Sequence, residues 1–383
     1  MTATRDVAIV GGGAVGLLLA CLLAQRGIDV VVLERRTEPG RASRAFGIHP
    51  PGLAALDAAG VGAAVRAEAL PIRAGSVLSG GRRIASLDFA RPVHALPQLR
   101  TETILRERLA ALAPAALRVG AEVVALRQHA EGVELRLAAG GCVGARWAVG
   151  ADGVHGRVRR LLGIAVQRRR GAAGYAMADV DDRTGLGAAA LLHLEAGGIV
   201  ESFPLPDGRR RWVARLAEPA QAVSAERLQR ILHERLGGTS ALPAPLPGGT
   251  EPSAFLARQR LAARFASGRV ALAGDAAHEV SPIGGQGMSL GWLDALALER
   301  ALAAAATNGA ATNGVARAAA PFAAYELERR PAAVRAMRRA AWNMAMGAPA
   351  SPPALAARLA LARVLALPPA RSAMVAAFTM RGL

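Results

Sequence analysis

The sequence predicts an α/β protein with an inserted β-sheet region and a C-terminal helical segment. Three observations support this class. The chain opens with an apolar run, a glycine cluster, a helix-like stretch and a second apolar run. Two later strand-like runs, near residues 150 and 272, are each followed by an aspartate beside a glycine. Residues 321–383 have mostly helical patterns that are rich in alanine and arginine. Strands that alternate with helices are typical of a parallel sheet with helices on its faces.

The first two apolar runs and the helix between them have the pattern of a βαβ unit that binds a dinucleotide. Residues 6–10 suit a buried parallel strand, and the loop Gly11–Gly16 fits GxGxxG and leads into a helix. Gly11 allows the tight turn, Gly13 lets the backbone approach a pyrophosphate, and Gly16 lets helix and strand pack closely. The free N–H groups of the helix start attract phosphates. This combination predicts a Rossmann-type domain.

An acidic residue, Glu34, stands at the end of the second strand-like run. A carboxylate at this point accepts hydrogen bonds from ribose hydroxyls. It favours an unphosphorylated ribose, so FAD or NAD fits better than NADP. We expect Ala14 and Val15 of the loop, and Arg35 beside the carboxylate, to contact the same cofactor.

The bulk composition argues against several other classes. Hydrophobic residues make up 52% and charged residues 20%, so the chain is expected to fold around a core. The two cysteines, Cys21 and Cys142, lie far apart, which argues against a disulfide framework and a zinc site and favours a reducing, cytoplasmic location. We expect no metal.

The net charge of +18 comes from scattered arginines, because the chain has no lysine. With only 3% aromatic residues, this pattern disfavours a nucleic-acid partner. The longest uncharged run, residues 7–25, is interrupted by Gly11, Gly12, Gly13 and Gly16 and suits a βαβ unit better than a membrane span, so no stable membrane insertion is expected.

Two later stretches carry the remaining motifs. Residues 147–159 read WAVGADGVHGRVR, in which a strand ends at Asp152-Gly153. Residues 268–278 read GRVALAGDAAH, in which a strand ends at Asp275, and residues 282–292 read PIGGQGMSLGW, a glycine-rich turn before a helix. The three motifs in this order resemble the flavin-dependent aromatic hydroxylases, the single-component FAD monooxygenases of the p-hydroxybenzoate hydroxylase type. The resemblance covers nearly the whole chain and implies a GR2-like FAD-binding domain.

The resemblance also implies a role for individual residues. The ADP half of FAD would be held by Gly11, Gly13, Gly16 and Glu34. Arg44 and Gln98 would contact the pyrophosphate and ribityl region.

Three further groups complete the implied cofactor site. Asp152 and Gly153 would couple FAD binding to passage of the nicotinamide cofactor. Asp275 would bind the ribityl chain. Gly285, Gly287 and Met288 would cradle the isoalloxazine ring, because N–H groups at a helix start can donate to the negative charge of reduced flavin. One departure concerns the second motif, where Gly156 stands in place of the serine common in the family.

The domain organisation follows from these motifs. We predict a discontinuous FAD-binding domain from residues 1–70, 101–165 and 266–320. A substrate-binding β domain would comprise residues 71–100 and 166–265, which contain β-like runs at 76–78 and 211–216. Residues 321–383 would form C-terminal helices.

The reaction implied by the resemblance is an NAD(P)H-dependent hydroxylation. NAD(P)H would reduce FAD while the substrate is bound, and O2 would then give a flavin C4a-hydroperoxide. Its distal oxygen would pass to an aromatic or polyketide-like small molecule, in bacterial secondary metabolism or aromatic catabolism. The protein orients the reactants and excludes water, whereas the cofactor carries the chemistry.

The sequence does not identify a catalytic side chain. Pro282 is a candidate to face the substrate. His193 and His94 lie in the substrate segments and are candidate bases, although a lone histidine is more often a core or surface residue. Arg211 and Arg215, at alternating strand positions, are candidates to face an anionic substrate, but solvated strand arginines are common.

Two alternatives stay open. The first is a related flavoenzyme that performs Baeyer–Villiger oxidation, epoxidation, halogenation or dehydrogenation, although the halogenase signature WxWxIP is absent from the sequence. The second is a non-enzymatic binding protein, either basic and directed to nucleic acid or a flavoprotein without redox turnover. The substrate, the regiochemistry, the choice between NADH and NADPH and the oligomeric state are left open as well.

Overall fold

A computed structural model describes residues 4–38, 40, 45–169, 171–219, 222–237, 250–309 and 320–382. Within these ranges the strands form two eight-stranded sheets and one three-stranded sheet, with helices packed around them. The predicted α/β class is confirmed.

The strands run, in chain order, as β1 (Arg5–Val10), β2 (Val30–Glu34), β3 (Gly47–Ile48), β4 (Leu70–Ser79), β5 (Arg82–Ala95), β6 (Leu117–Val119), β7 (Val123–Gln128), β8 (Val133–Leu137), β9 (Cys142–Gly150), β10 (Val166–Arg168), β11 (Ala173–Asp181), β12 (Ala189–His193), β13 (Val200–Pro204), β14 (Arg209–Arg215), β15 (Ser253–Ala257), β16 (Arg260–Ala262), β17 (Ala266–Ser267), β18 (Val270–Leu272) and β19 (His278–Glu279).

The helices are α1 (Ala14–Gln25), α2 (Pro50–Ala58), α3 (Gly62–Glu68), α4 (Gln98–Leu112), α5 (Val158–Leu161), α6 (Ala225–Leu236), α7 (Gly287–Gly309), α8 (Ala320–Met346), α9 (Pro352–Leu365) and α10 (Ala370–Phe378). A 3-10 turn spans Gly274–Ala276.

The first sheet joins the three sequence motifs at one edge. Its path runs β17-β18-β9-β1-β2-β6, and β18, β9, β1, β2 and β6 are parallel. The register pairs Val10 with Gly150 and Gly150 with Leu272. The loop after β1, the Asp152 turn after β9 and the Asp275 turn after β18 therefore lie side by side at the carboxyl edge. Ligands bind to open parallel sheets at this edge.

Close packing fixes α1 and α7 against this edge. A methyl group built on Gly291 would lie 2.6 Å from Val15 Cγ2 and 3.2 Å from Gly274 Cα. The indole N–H of Trp292 donates to the Ala14 carbonyl at 3.0 Å. The start of α1, the turn after β18 and the start of α7 therefore meet at one point.

A buried ionic cluster holds the turn after β18. Asp294 on α7 is fully buried and accepts hydrogen bonds from the Gly274 N–H at 3.0 Å, His278 Nε2 at 2.5 Å and Arg329 Nε at 2.9 Å. Burial lowers the pKa of His278, but the Asp294 carboxylate outweighs burial and leaves that pKa above its ordinary value. The cluster thus ties β18, β19 and α8 to α7.

The second sheet is largely buried on both faces in its middle strands, β11 to β14. Its strand order is β15-β11-β14-β13-β12-β4-β5-β3. One face packs against the apolar side of α6, where Leu228 and Leu232 join Trp212 and Ala214. The other face looks towards α8, α9 and α10, which form its cover. The β-like runs predicted at 76–78 and 211–216 lie in β4 and β14 of this sheet.

The strands of the two sheets alternate along the chain. The first sheet takes its strands from residues 5–34, 117–150 and 266–272, and the second from 47–48, 70–95, 173–215 and 253–257. The domain boundaries given above stay a prediction. Among the described helices, none alone has the length and apolar composition of a membrane span. The bent pair α9 and α10, at 99°, passes that test only when taken together.

We predict that Asp294→Asn lowers the free energy of unfolding by about 3–5 kcal/mol, because it leaves two buried cations without their anion. Urea denaturation followed by circular dichroism measures the change. The matched control is Glu328→Gln, which removes the charge from an exposed pair with Arg300 at 2.9 Å and should change stability by less than about 1 kcal/mol. Equal effects of the two substitutions would contradict the role given to the cluster.

Candidate active site

The loop between β1 and α1 presents backbone donors at a helix start. The N–H of Gly12 donates to Glu34 Oε2 at 2.7 Å, and the N–H of Ala14 donates to Glu102 Oε1 at 3.2 Å. Among the described residues, the N–H groups of Gly13, Val15 and Gly16 have no hydrogen-bond partner. Free N–H groups and the helix dipole make this point suitable for a phosphate.

The space beside each glycine of this loop shows whether a pyrophosphate could fit there. A methyl group on Gly11 would lie 2.4 Å from the Ala151 carbonyl oxygen, and one on Gly16 would lie 2.0 Å from the Gly11 carbonyl oxygen. The fold itself therefore requires these two glycines. A methyl group on Gly13 would meet only Glu102 Oε1, at 3.8 Å. Its missing side chain leaves open space, as a bound pyrophosphate needs.

Glu34 is buried at the end of β2. One of its carboxylate oxygens accepts a hydrogen bond from the β1–α1 loop, and the other accepts from Arg36. Its Oε1 accepts from the backbone N–H and from Nε of Arg36, both at 2.9 Å. Burial raises the pKa of the carboxyl, but the bonds from Arg36 and the Gly12 N–H outweigh it and hold the pKa below its ordinary value. Glu34 is thus an ionised acceptor beside the loop. Arg35 is exposed, and Arg36 makes the contact with the carboxylate.

Helix α4 carries the predicted cofactor residue Gln98 and adds two polar side chains that were not predicted from the sequence, Glu102 and Arg106. Glu102 accepts from Gln98 Nε2 at 2.7 Å as well as from the Ala14 N–H. Arg106 Nη2 donates to the Gly12 carbonyl at 3.1 Å, and its buried Nε has no hydrogen-bond partner among the described residues. This places a cation beside the loop. Arg44, predicted to contact the pyrophosphate region, lies outside the described residues.

The second motif folds its aspartate inward. Asp152 Oδ2 accepts from the Val158 N–H at 3.0 Å, at the start of α5. A methyl group on Gly156 would lie 2.1 Å from Asp152 Oδ1, so the carboxyl occupies the space that a serine side chain would need. Burial raises the pKa of Asp152. Gly153 has a φ of 73°, and a methyl group there would meet nothing within 4 Å.

The third motif forms an exposed aspartate and a turn into α7. Asp275 is exposed within the 3-10 turn. Gly285, at a φ of 65°, donates its N–H to the Pro282 carbonyl at 2.8 Å. A methyl group on Gly287 would meet nothing within 4 Å, and the N–H groups of Gly287 and Met288 have no partner in the part of the chain described. This is a second set of open glycines and free donors, and it suits a flat ring.

His49 supports this turn from the side of β3. Its Nε2 donates to the Gly284 carbonyl at 3.1 Å, and its backbone N–H donates to Ser289 Oγ at 3.2 Å. Burial lowers the pKa of His49 to about 4, so the ring is neutral near neutral pH. The histidine therefore orients the turn without adding charge.

A cavity of about 210 Å³ lies between the turn, the second sheet and the C-terminal helices. Pro282 and Ile283 form its wall on the turn side, and Trp342 contributes from α8. The lining is mainly aliphatic and aromatic. Its polar or ionisable side chains are those of His49, Ser76, Glu201, Arg211 and Asn343. The volume exceeds the ~150 Å³ that admits a benzene ring in an engineered apolar cavity.

Glu201 is the buried acid of this cavity. It lies on β13, is 5% exposed and makes no hydrogen bond or ion pair with any residue that the structure describes. Burial raises its pKa to about 7. Glu201 was not among the residues predicted from the sequence to face the substrate, and the local sequence Val200-Glu201-Ser202-Phe203 carries no motif that marks it.

Of the residues predicted to face the substrate, some line the cavity and others lie outside its lining. Pro282 and Arg211 line the cavity, but Arg211 is bound by Asp179 through two hydrogen bonds of 2.6 and 2.7 Å. Arg215 Nη1 donates to the Met344 carbonyl at 2.7 Å, which links β14 to the end of α8.

The two candidate histidine bases lie outside the cavity lining. His193 is on the opposite face of the sheet, with its ring centroid 6.4 Å from that of Trp212. His94 is buried near the end of β5, opposite Ile48. Their role as bases is therefore not supported by the position of the cavity. In the described ranges no group of three or more His, Cys, Asp or Glu side chains could hold a metal ion.

We predict that Glu201→Gln stabilises the protein at high pH. The folded carboxyl has a pKa of about 7, raised by burial from 4.5. As far as Glu201 is concerned, the free energy of unfolding of the unchanged protein is therefore highest below about pH 4.5, and it declines as the pH rises through about 7. Glutamine has no proton to lose, so the gain should reach at most about 3 kcal/mol near pH 8 and be small near pH 5. Urea midpoints at both pH values measure it. A gain that does not depend on pH would contradict the assignment.

Comparison with known proteins identifies the family. A model of the FAD binding domain matches residues 4–340. A rifampicin monooxygenase from Streptomyces venezuelae is 33% identical over 345 residues, which cover 87% of this chain and 69% of the relative. A 12-dehydrotetracycline 5-monooxygenase/anhydrotetracycline 6-monooxygenase from Streptomyces rimosus is 35% identical, with 87% of this chain and 68% of the relative covered.

A solved structure agrees with the sequence relatives. The p-nitrophenol 4-monooxygenase of Pseudomonas putida superposes with a TM-score of 0.86 and 26% identity, over 100% of both chains. The recognition made from the three motifs is confirmed, and so is FAD as the cofactor. The chain belongs to the FAD binding domain family, among the FAD-dependent monooxygenases of aromatic and polyketide compounds.

Proposed function

We propose that the protein is an NAD(P)H-dependent FAD monooxygenase that inserts one atom of O2 into an aromatic or polyketide-like molecule bound in the cavity. The proposal rests on one observation: the same segment of the chain belongs to the proposed flavin site and to the cavity. The turn Pro282–Gly285, which leads into the proposed ring cradle, also lines the apolar cavity. A molecule in the cavity would therefore lie directly against the flavin-binding turn.

The first sheet supplies the groups that would hold the cofactor. The free N–H groups at the start of α1 would donate to the pyrophosphate, with Arg106 as a nearby cation. The ionised carboxylate of Glu34 would accept from ribose hydroxyls. Asp275 is proposed to bind the ribityl chain from the 3-10 turn.

The start of α7 supplies groups for the flavin ring. The N–H groups of Gly287 and Met288 point out of a helix N-terminus, where the dipole contributes partial positive charge. They would stabilise the negative charge that the ring carries when reduced. When bound, FAD supplies electron transfer from NAD(P)H and the activation of O2. Removal of water from such a site strengthens these electrostatic interactions.

The cavity supplies orientation and exclusion of water. Its walls are apolar apart from a few side chains, which suits a flat organic molecule. The relatives support an aromatic or polyketide substrate, because their names refer to rifampicin, tetracycline intermediates and p-nitrophenol.

The reaction is tested directly with the purified protein. We expect the yellow absorbance spectrum of bound flavin, with oxidation of NADH or NADPH that candidate phenols accelerate. With ¹⁸O2, one labelled oxygen atom should enter the product, as mass spectrometry measures. A protein that cannot be loaded with FAD would refute the proposal. Substrate-stimulated NAD(P)H consumption with no labelled product would instead favour another flavoenzyme reaction.

We predict that Gly13→Ala weakens FAD binding about tenfold or more without weakening the fold. The added methyl group would occupy the space in which the pyrophosphate approaches the backbone. The φ of −87° and ψ of −176° at Gly13 suit alanine, so the unfolding free energy of the FAD-free protein should change by less than about 0.5 kcal/mol. Fluorescence titration with FAD and urea denaturation measure the two effects.

The contrasting control is Gly16→Ala. Its methyl group would overlap the Gly11 carbonyl oxygen at 2.0 Å, so the FAD-free protein itself should lose about 1–3 kcal/mol or more. Normal FAD affinity in Gly13→Ala would show that the loop is not used as proposed.

A further inference from the structure

The acid in the cavity wall has a position that the fold does not explain. Glu201 lies in the middle of β13, with Leu192 of β12 and Val213 of β14 as its cross-strand neighbours. Its side chain lines the cavity together with that of Phe203, two residues further along the same strand. Buried carboxyl groups in native proteins are paired or hydrogen-bonded. Glu201 has neither kind of partner among the described residues.

The charged and titratable groups around the cavity leave this carboxyl uncompensated. Arg211 on β14 is held by Asp179 of β11 in a two-bond ion pair. Arg215, further along β14, donates to a carbonyl of α8. Tyr175 on β11 is buried and has its pKa raised to about 12, first by burial and then by Glu201. The cover contributes Asn343, which is neutral.

A buried acceptor without a partner destabilises the folded protein, so its presence in a substrate cavity indicates a partner on the substrate. A hydroxyl group is a suitable partner, because it can donate to the carboxyl without bringing charge into an apolar cavity. A substrate carboxylate is disfavoured, since like charges repel strongly where water is excluded. The ion-paired Arg211 is not a free counter-ion for such an anion.

We propose that Glu201 determines the specificity of the cavity by accepting a hydrogen bond from a substrate hydroxyl, so that neutral hydroxyl-bearing aromatic molecules are selected over carboxylate-bearing ones. This inference rests on the proposed function, because it assigns the substrate class of the same site. The hydrogen bond also increases electron density at the ring carbons ortho and para to the hydroxyl, where an oxygen atom is added most readily.

The test is a comparison of three naphthalene probes by isothermal titration calorimetry, with flavin content measured from absorbance. 2-Naphthol carries the donor, 2-methoxynaphthalene lacks it, and 2-naphthoate carries an anion. The unchanged protein should bind 2-naphthol about tenfold or more tightly than either of the others near pH 8. In Glu201→Leu this preference should fall below about threefold, and Glu201→Gln should bind 2-naphthoate more tightly than the unchanged protein does.

The matched control is Asp181→Asn, which removes an exposed carboxylate at the end of β11 and outside the cavity. It should keep the full preference. Since Glu201→Gln retains a polar side chain of the same shape, it serves as the variant that folds if leucine does not.

The pH dependence gives a second readout. The pKa of Glu201 is about 7, whereas that of His49 is about 4 and that of Tyr175 about 12, so Glu201 is the group facing the cavity that changes charge near neutrality. Affinity for 2-naphthol should rise as the pH increases through about 7, and affinity for 2-naphthoate should fall. The pH dependence of both affinities should disappear in Glu201→Gln and persist in Asp181→Asn.

The outcomes separate this inference from the proposed function. Equal affinities for 2-naphthol and 2-methoxynaphthalene in the unchanged protein, or no binding of 2-naphthol, would overturn the inference even if the protein binds FAD and oxygenates another compound. Conversely, a protein that cannot be loaded with FAD but still shows the Glu201-dependent preference would support the inference and refute the proposed redox reaction.

Discussion

Asp294 accepts hydrogen bonds from three segments of the chain where water is excluded, and the geometry of the proposed cofactor site depends on these bonds. Charges are costly to bury unless they are paired and hydrogen-bonded, and here His278 and Arg329 provide the pairing. The third bond, from the Gly274 N–H, fixes the end of β18 against α7. The Asp275 turn and the start of α7 are thereby held in one arrangement, beside the loop that begins α1.

The two sheets contribute in different ways to the site. The parallel sheet presents backbone donors and open space at Gly13 and Gly287, so its role depends on main-chain geometry. The second sheet presents side chains, and its cavity face carries Glu201 and the ion-paired Arg211. We therefore propose that cofactor binding depends on the main-chain geometry of these turns, and that substrate choice depends on a few side chains of the cavity.

The meeting of the three motifs at the carboxyl edge of the first sheet could be predicted from the sequence, because each motif is a short local pattern. A strand followed by glycines and a helix specifies where Gly11 and Asp275 lie, and parallel pairing brings such strand ends together. The role of Gly156 was less accessible, because only the folded turn shows that the Asp152 carboxyl fills the space beside it.

The cavity could not be predicted in the same way. Strands β11 to β14 of the second sheet are largely buried on both faces, so alternation along a strand does not tell which face lines the cavity. His193 therefore looked as suitable as its neighbours, although it faces Trp212. The pairing of Arg211 with Asp179 depends on the register of β11 and β14, and the uncompensated position of Glu201 follows from all the strands and helices around it.

A crystal structure of the FAD-loaded protein tests the central claim most directly. The account predicts a pyrophosphate within hydrogen-bond distance of the N–H groups at the start of α1, and an isoalloxazine ring against Gly285–Met288 with one face towards the cavity that contains Glu201. A ring held away from this turn, or a cavity that does not open onto the ring, would contradict it.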